Sequence, residues 1–430
     1  MKDISWQQLD LQWNWHPCAQ MKDYESFKPL VIQSAQGCYL NLADGKKVID
    51  AISSWWCKSL GHQHPVLKQA LSEQLEKFEH VIFANTTNKI IVRLAEKLTQ
   101  FMPHLTKVFY AGDGSCAVEI ALKMSLHARV IGGEHLRRKI IALHNGYHGE
   151  TLGALSVSDV GLYRQSYRAW LFEPVFVSPV YVTSAEDPKW ETIESEWPRI
   201  EQSLAPYAAT ATALIVEPLV QGAGGMKLYS PDFLRRIAHW AKQHGIHLIA
   251  DEIMTGIGRT GKRLACEYAG IQPDFVCLGK GLTSGWIPFS TVLTTESLYQ
   301  TFYDEMNTGK AFLHSHTYSG HVLGARLALA TLHIMETEHL YARACTLQTI
   351  LRRLMQEVAD KTGLLTNLRG LGAWVAADLV VPDPHQRWGY LVYQAAVHNT
   401  IYWLPPLTIS DHTLSELKEI TLQAILEVFG

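Results

Sequence analysis

Several features that would fix a protein's class at once are missing from this chain. No run approaches the roughly twenty apolar residues that span a bilayer, and the start, Met1-Lys2-Asp3-Ile4-Ser5-Trp6, lacks the apolar stretch of a secretory signal. Neither a membrane protein nor an exported one is expected, and a cytoplasmic location is. Charge of one sign is not in excess either: 38 basic and 41 acidic residues leave a formal net charge of −3, which gives no global attraction to nucleic acid or anionic lipid. The pairs Arg137-Arg138, Arg235-Arg236 and Arg352-Arg353 are dispersed along helical patterns and read as solvated faces. Cysteine is sparse. The seven residues Cys18, Cys38, Cys57, Cys116, Cys266, Cys277 and Cys345 form no C-x-x-C pair, which fits buried or free thiols in a reducing compartment. No G-x-G-x-x-G fingerprint, internal repeat or low-complexity segment occurs. His144 and His148 stand four apart and His314, His316 and His321 cluster. Gly146-Tyr147 and Gly149 make the first pair part of a sharp loop rather than a ligand-bearing helix, so no metal site is expected.

What is present describes an ordinary globular protein rather than a disordered one. With 430 residues, 47% hydrophobic and 18% charged, the chain can bury a sizeable core as one big domain and a smaller one. From about residue 107 to 295 short apolar runs alternate with amphipathic segments, the pattern of a mostly parallel sheet covered by helices on both faces. Seven strands are predicted, at 108–110, 140–143, 174–177, 213–216, 247–250, 275–278 and 290–293. Helices are predicted over 117–128 and over 231–244, the latter capped by Ser230 and stopped by Gly245. A last helix should start near Ser410-Asp411 and reach about Phe429. The expected architecture is α/β: a large domain over 61–329, with residues 1–60 and 330–430 joined as a small α+β domain.

Chemistry is suggested by two strand ends. Asp251-Glu252 closes the largely apolar run Ile246 to Ala250, and Lys280 follows a second run, Phe275 to Gly279. A pyridinium ring acts as an electron sink only while its nitrogen stays protonated, which a buried carboxylate enforces, and the coenzyme is tethered by a lysine amine. The pairing therefore implies pyridoxal 5′-phosphate. Asp251 must be exposed or find a positive partner; Lys280, between two glycines, has room to swing, the alternative being a surface lysine. Gly112-Asp113-Gly114-Ser115-Cys116, between a strand and a helix, is a candidate phosphate site, weak on its own. In His144-Asn145-Gly146-Tyr147-His148-Gly149-Glu150 the glycines could bring Tyr147 over a flat ring, or Tyr147 could be a core residue beside a turn.

These motifs together resemble the class III, fold-type I aminotransferases across nearly the whole chain. The resemblance lies in Leu248-Ile249-Ala250-Asp251-Glu252-Ile253, Gly256-Ile257-Gly258-Arg259-Thr260-Gly261-Lys262 and Gly279-Lys280-Gly281-Leu282. Within that family, Trp15-His16-Pro17, Ser53-Ser54-Trp55-Trp56 and the run from Glu217 to Met226 are similar to the branch that serves biotin synthesis. The resemblance implies an amino transfer from S-adenosylmethionine to 8-amino-7-oxononanoate, with a paralogous enzyme using another donor, such as lysine, or another acceptor as the alternative. It implies that Lys280 is catalytic and holds the coenzyme, that Asp251 pairs with the ring nitrogen, and that Tyr147 stacks on the ring. Gly114, Ser115 and Cys116 would bind the phosphate. Thr317 matches a position that reaches the phosphate of a neighbouring subunit, which implies a homodimer with shared sites. Trp55 and Trp56 would wall the substrate pocket.

Three departures accompany these matches. The resembled enzymes have a tyrosine where this chain has Cys18, and an aspartate where it has Glu150; both positions lie at or near the substrate pocket there. The Arg-Pro segment that binds the keto-acid carboxylate in those enzymes has no counterpart before Ile401, where His398-Asn399-Thr400 leads straight in. Arg259, His316 and Arg387 are the candidate replacements, Arg259 otherwise reading as half of a structural ion pair.

Overall fold

The structure is a computed structural model that describes residues 5–380, 396–397 and 399–429. At its centre lies a seven-stranded sheet: β1 (Leu105–Ala111), β2 (Lys139–Leu143), β3 (Val175–Val177), β4 (Ala211–Val216), β5 (His247–Asp251), β6 (Phe275–Leu278) and β7 (Ser290–Thr295). Their order across the sheet is β1-β7-β6-β5-β4-β2-β3. All the expected strands form, each within two or three residues of its predicted bounds. Pairs β6/β5, β5/β4, β4/β2 and β2/β3 are parallel, and β7 runs antiparallel to both neighbours.

Successive strand residues face opposite cores, as a sheet covered on both sides requires. Ile140, Ala142, Ala213, Ile215, Ile249, Phe275, Cys277 and Val292 pack on one side with Ala117, Ile120 and Ala121 of the helix Gly114–Ile131. Ile141, Leu143, Leu214, Val216, Leu248, Val276 and Leu278 pack on the other with Phe233, Leu234 and Ile237 of the helix Pro231–Gln243. Ser230 caps that second helix by accepting from the amides of Asp232 and Phe233 at 3.2 and 3.3 Å, and Gly245 follows it at φ +63°. The last helix spans Asp411–Phe429, with Ser410 accepting from the Thr413 amide at 3.0 Å.

Residues near the two ends of the chain meet. Leu404 N donates to Ala51 O at 2.8 Å, Ser53 Oγ to Leu404 O at 2.7 Å and Tyr39 OH to Glu416 Oε2 at 2.7 Å. A three-stranded sheet (Ile32–Gln36, Tyr39–Leu42, Lys47–Ile49) and a four-stranded one (Leu365–Gly370, Val375–Leu379, Ala396–Val397, Thr400–Trp403) lie in these segments. The helix Val322–Thr337 runs unbroken through the expected boundary at 329/330.

Candidate active site

Ligands of open α/β sheets sit outside the carboxyl ends of the parallel strands, and the functional candidates gather there. Gly112 follows β1, His144 to Glu150 follow β2, Glu217 follows β4, Asp251 ends β5, and Lys280 comes two residues after β6. Ser290, at the start of antiparallel β7, donates from Oγ to Asp113 O at 2.5 Å and ties this rim together.

Asp251 is 4% exposed. Its Oδ2 lies 2.7 Å from His148 Nδ1, and its Oδ1 accepts from Ile253 N at 3.1 Å. His148 thus orients the carboxylate. His148 Nε2 is buried without a partner among the described residues. Glu217, 5% exposed, accepts from the amides of Tyr147 at 2.8 Å and Gly222 at 3.2 Å, so one carboxylate pins two loops. Burial pushes its carboxyl up to about 7. The Lys280 amine is pulled below its usual value by burial, against an opposing pull from Asp251 and Glu217.

Lys280 Nζ lies 4.7 Å from the centre of the Trp56 ring, within cation–π range. Trp56 is 5% exposed and donates from Nε1 to Tyr402 OH at 3.1 Å. Gly222 is obligatory beneath it, since a Cβ there would come within 2.9 Å of the indole. Trp55, expected beside it, is 54% exposed. Both belong to a segment with unusual backbone: Ser53, Ser54, Trp55 and Trp56 have φ of +52°, +45°, +67° and +73°. Hydrogen bonds from Trp56 N to Ile52 O and from Cys57 N to Ser53 O close it as one turn of left-handed helix. Each such residue costs about 1–2 kcal/mol, so the turn costs roughly 4–8 kcal/mol and needs outside support.

Tyr147 donates from its hydroxyl to Glu150 Oε1 at 2.9 Å and meets Tyr163 edge to face at 6.3 Å. The Tyr163 hydroxyl lies 3.2 Å from Cys18 Sγ. Both point departures, Cys18 and Glu150, therefore join one cluster around Tyr147. At the glycine turn, Cβ atoms on Gly112 and Gly114 would come within 3.0 Å of His316 Cε1 and Ile253 Cδ1. Ser115 Oγ accepts from Glu150 N at 3.3 Å, which leaves its proton free to donate. The amide and thiol of Cys116, expected among the phosphate donors, both bond Asp113, at 2.9 and 3.1 Å, as helix-cap contacts. The amides of Gly114 and Ser115 are the backbone donors that remain. His316 sits against Gly112 with its Nδ1 buried and unpartnered, and Thr317 beside it is exposed.

Arg259 is 3% exposed. Its Nη1 donates to Pro405 O at 2.7 Å and Ala373 O at 3.1 Å, and its Nη2 is buried without a partner among the described residues. Burial holds the guanidinium below its usual range, and no carboxylate among the described residues faces it. Among the described residues it forms no ion pair. Arg387 and His398 lie outside the described residues. Glu217, His148 and Tyr402 complete the site without having been assigned a part in it from sequence.

Three comparisons with known proteins place the chain in a family. The family model described as aminotransferase class-III matches residues 20–425. A Helicobacter pylori protein named adenosylmethionine-8-amino-7-oxononanoate aminotransferase is 38% identical over 426 residues, 95% of this chain and 94% of that protein. One of the same name from Synechococcus elongatus is 38% identical, over 94% of this chain and 96% of the relative. The crystal structure of the Methanocaldococcus jannaschii protein of that name superposes with a TM-score of 0.89 at 32% identity, covering 99% of each chain. An omega transaminase from Pseudomonas jessenii in complex with PMP gives 0.90 at 27% identity, covering 99% of this chain and 98% of that one. Sequence and fold together establish that the chain belongs to the class III aminotransferase family.

Proposed function

We propose that this aminotransferase uses pyridoxal 5′-phosphate to move an amino group from S-adenosylmethionine to 8-amino-7-oxononanoate, giving 7,8-diaminononanoate for biotin synthesis. The observation that carries the coenzyme assignment is the meeting, at one sheet edge, of buried Asp251 with the desolvated amine of Lys280 under Trp56. The substrate pair rests on the shared name of the relatives. The site fits the coenzyme: two glycines leave no space for side chains at the phosphate turn, and the remaining donors there are the amides of Gly114 and Ser115 and the Ser115 hydroxyl.

When bound, the coenzyme supplies an electron sink that weakens a C–H bond on the amine-bearing carbon. Asp251, oriented by His148, would hold a proton on the ring nitrogen. Tyr147, fixed by Glu217 and Glu150, would pack against the coenzyme. Lys280 would hold the coenzyme in the resting enzyme, and its released amine would carry the proton lost by the substrate carbon. Burial favours this, because it raises the share of the amine in its neutral form, the only form that can accept a proton. Arg259, with its free Nη2, binds the α-carboxylate of the donor. Trp56 and Trp55 line the substrate side, with Cys18 and Glu150 near Tyr147. Exposed Thr317 would reach the phosphate in a second copy, and Leu313 and Met306 nearby, 88% and 93% exposed, support a homodimer. The division into a domain over 61–329 and one from both termini, and a cytoplasmic location with seven free thiols, belong to the same reading.

The second reading, a class III transaminase with another donor or acceptor, is favoured by the absent arginine before Ile401. Steady-state turnover with 8-amino-7-oxononanoate separates the two. Product formation with S-adenosylmethionine supports the first, and none with any donor removes it.

A further inference from the structure

We propose that Asp50 is a positioning residue for amino transfer, a carboxylate clamp that holds the left-handed turn Ser53–Trp56 and thereby seats the Trp56 ring against the Lys280 amine. The inference rests on Lys280 being the reacting amine and goes beyond it to what sets that amine's surroundings. None of the four turn residues is glycine or asparagine, the types that tolerate positive φ, so local preference opposes the turn. The opposing force is tertiary. Asp50, 6% exposed, accepts from Ser54 N at 2.8 Å with Oδ1 and from Ser54 Oγ at 2.6 Å with Oδ2. His62 Nε2 lies 2.8 Å from the same Oδ2 and orients the carboxylate. Burial pushes the Asp50 carboxyl up, but the bonds from His62 and Ser54 outweigh it and hold the group below its usual range, hence ionised.

The clamp sits one turn before the indole. Trp56 is held at its far edge by Tyr402 and from below by Gly222, and its backbone is fixed through Ser54. Release of residues 53–56 towards negative φ would swing the Trp56 side chain away from Nζ and admit water to the amine. Asp50 touches neither Lys280 nor any expected substrate position, so the effect passes through the turn.

Three full-length variants test this: Asp50→Asn, the double variant Asp50→Asn/Ser54→Gly, and Ser54→Ala. Asparagine keeps an acceptor for the Ser54 amide but puts an amide nitrogen where Ser54 Oγ or His62 now donates. On the coenzyme-free chain, acetic anhydride labelling of Lys280 is followed against pH by peptide mass spectrometry. On the loaded enzyme, one donor half-reaction gives the saturating rate and the half-saturating concentration separately. Asp50→Asn is expected to move the labelling midpoint to higher pH by about 0.5 or more, since burial is the main influence on that amine. It should lower the saturating rate about ten-fold with a smaller change in half-saturation. Glycine at 54, which adopts positive φ without strain, should recover much of both in the double variant. A wild-type labelling midpoint and rate in Asp50→Asn, with only thermal stability lowered, would overturn the proposal, as would no recovery by glycine. Should Asp50→Asn not fold, Ser54→Ala decides: a smaller shift in the same direction supports the clamp, and a wild-type midpoint refutes it. A wild-type protein that accepts no amine from any donor would instead sink the proposed function, while the labelling still reads the clamp.

Discussion

Replacing Arg259 by methionine separates a substrate-binding arginine from a structural one. In the free protein the guanidinium is buried, gives two bonds to the carbonyls of Ala373 and Pro405, and faces no carboxylate among the described residues. Methionine strands those two carbonyls, at about 1–3 kcal/mol each. It also removes an uncompensated buried cation, whose burial costs several kcal/mol. The two effects oppose, so unfolding of the coenzyme-free chain should move by no more than ~2 kcal/mol in either direction. Binding is not offset in this way. A donor carboxylate on Nη2 makes charge-assisted hydrogen bonds, and its loss leaves a desolvated anion without a partner. The expected cost is about 2–4 kcal/mol, roughly 30- to 700-fold in half-saturating donor concentration. The assay is the donor half-reaction under single-turnover conditions, run with the amino acid and with the matching amine that lacks the carboxylate. The amino acid should be weakened selectively in Arg259→Met and the amine should not. Equal losses with both, or a large fall in thermal stability with the preference for the amino acid intact, would refute the reasoning.

Other perturbations follow from the same geometry. Lys280→Ala removes the tether and the proton carrier, so turnover should fall by at least ~10²-fold while added coenzyme still binds; mass spectrometry after borohydride reduction should find no label on the chain. Asp251→Asn leaves the ring nitrogen and His148 without a carboxylate, and should lower the half-reaction rate at every pH far more than coenzyme affinity, as measured by rapid-mixing kinetics and equilibrium dialysis. Glu217 carries a sign that can be read from pH. Its carboxyl sits at about 7 in the folded chain against 4.5 when free, so the folded state holds the extra proton between those values and stability falls as pH rises through that window. The swing is ~3 kcal/mol at most. Glu217→Gln should flatten it in thermal melts from pH 4.5 to 8, and an unchanged slope would contradict the assignment.

Much of this site is legible in the sequence because strand ends are. Asp251 and Lys280 follow apolar runs, and the alternation of buried strands with helices places both at one sheet edge. Glu217 directly follows β4 much as Asp251 ends β5, so the same signal marks it, although in the sequence it reads only as the start of a glycine-rich run. Cys116 shows a competing rule at work. An acidic residue just before a helix takes the third amide for its own cap, and Asp113 does so. Other features depend on partners far away along the chain. His148 meets Asp251 103 residues on, and the carbonyls that hold Arg259 lie 114 and 146 residues away. No spacing rule joins such pairs. The left-handed turn at Ser53 to Trp56 is hidden for the opposite reason: its residues disfavour it locally, and Asp50, His62 and Leu404 impose it. The direction of β7 was equally silent, since an apolar run does not say which way it runs.

The central claim is tested most directly by loading the protein with pyridoxal phosphate and mixing it with S-adenosylmethionine, and in parallel with lysine. The visible absorbance of the lysine-held coenzyme is followed as it converts to the amine form, and 8-amino-7-oxononanoate is then added. Conversion by S-adenosylmethionine, reversal by the keto acid and appearance of 7,8-diaminononanoate by mass spectrometry are the predicted result. Conversion by lysine alone, or no reversal by the keto acid, would contradict the account and assign the chain to a different substrate pair.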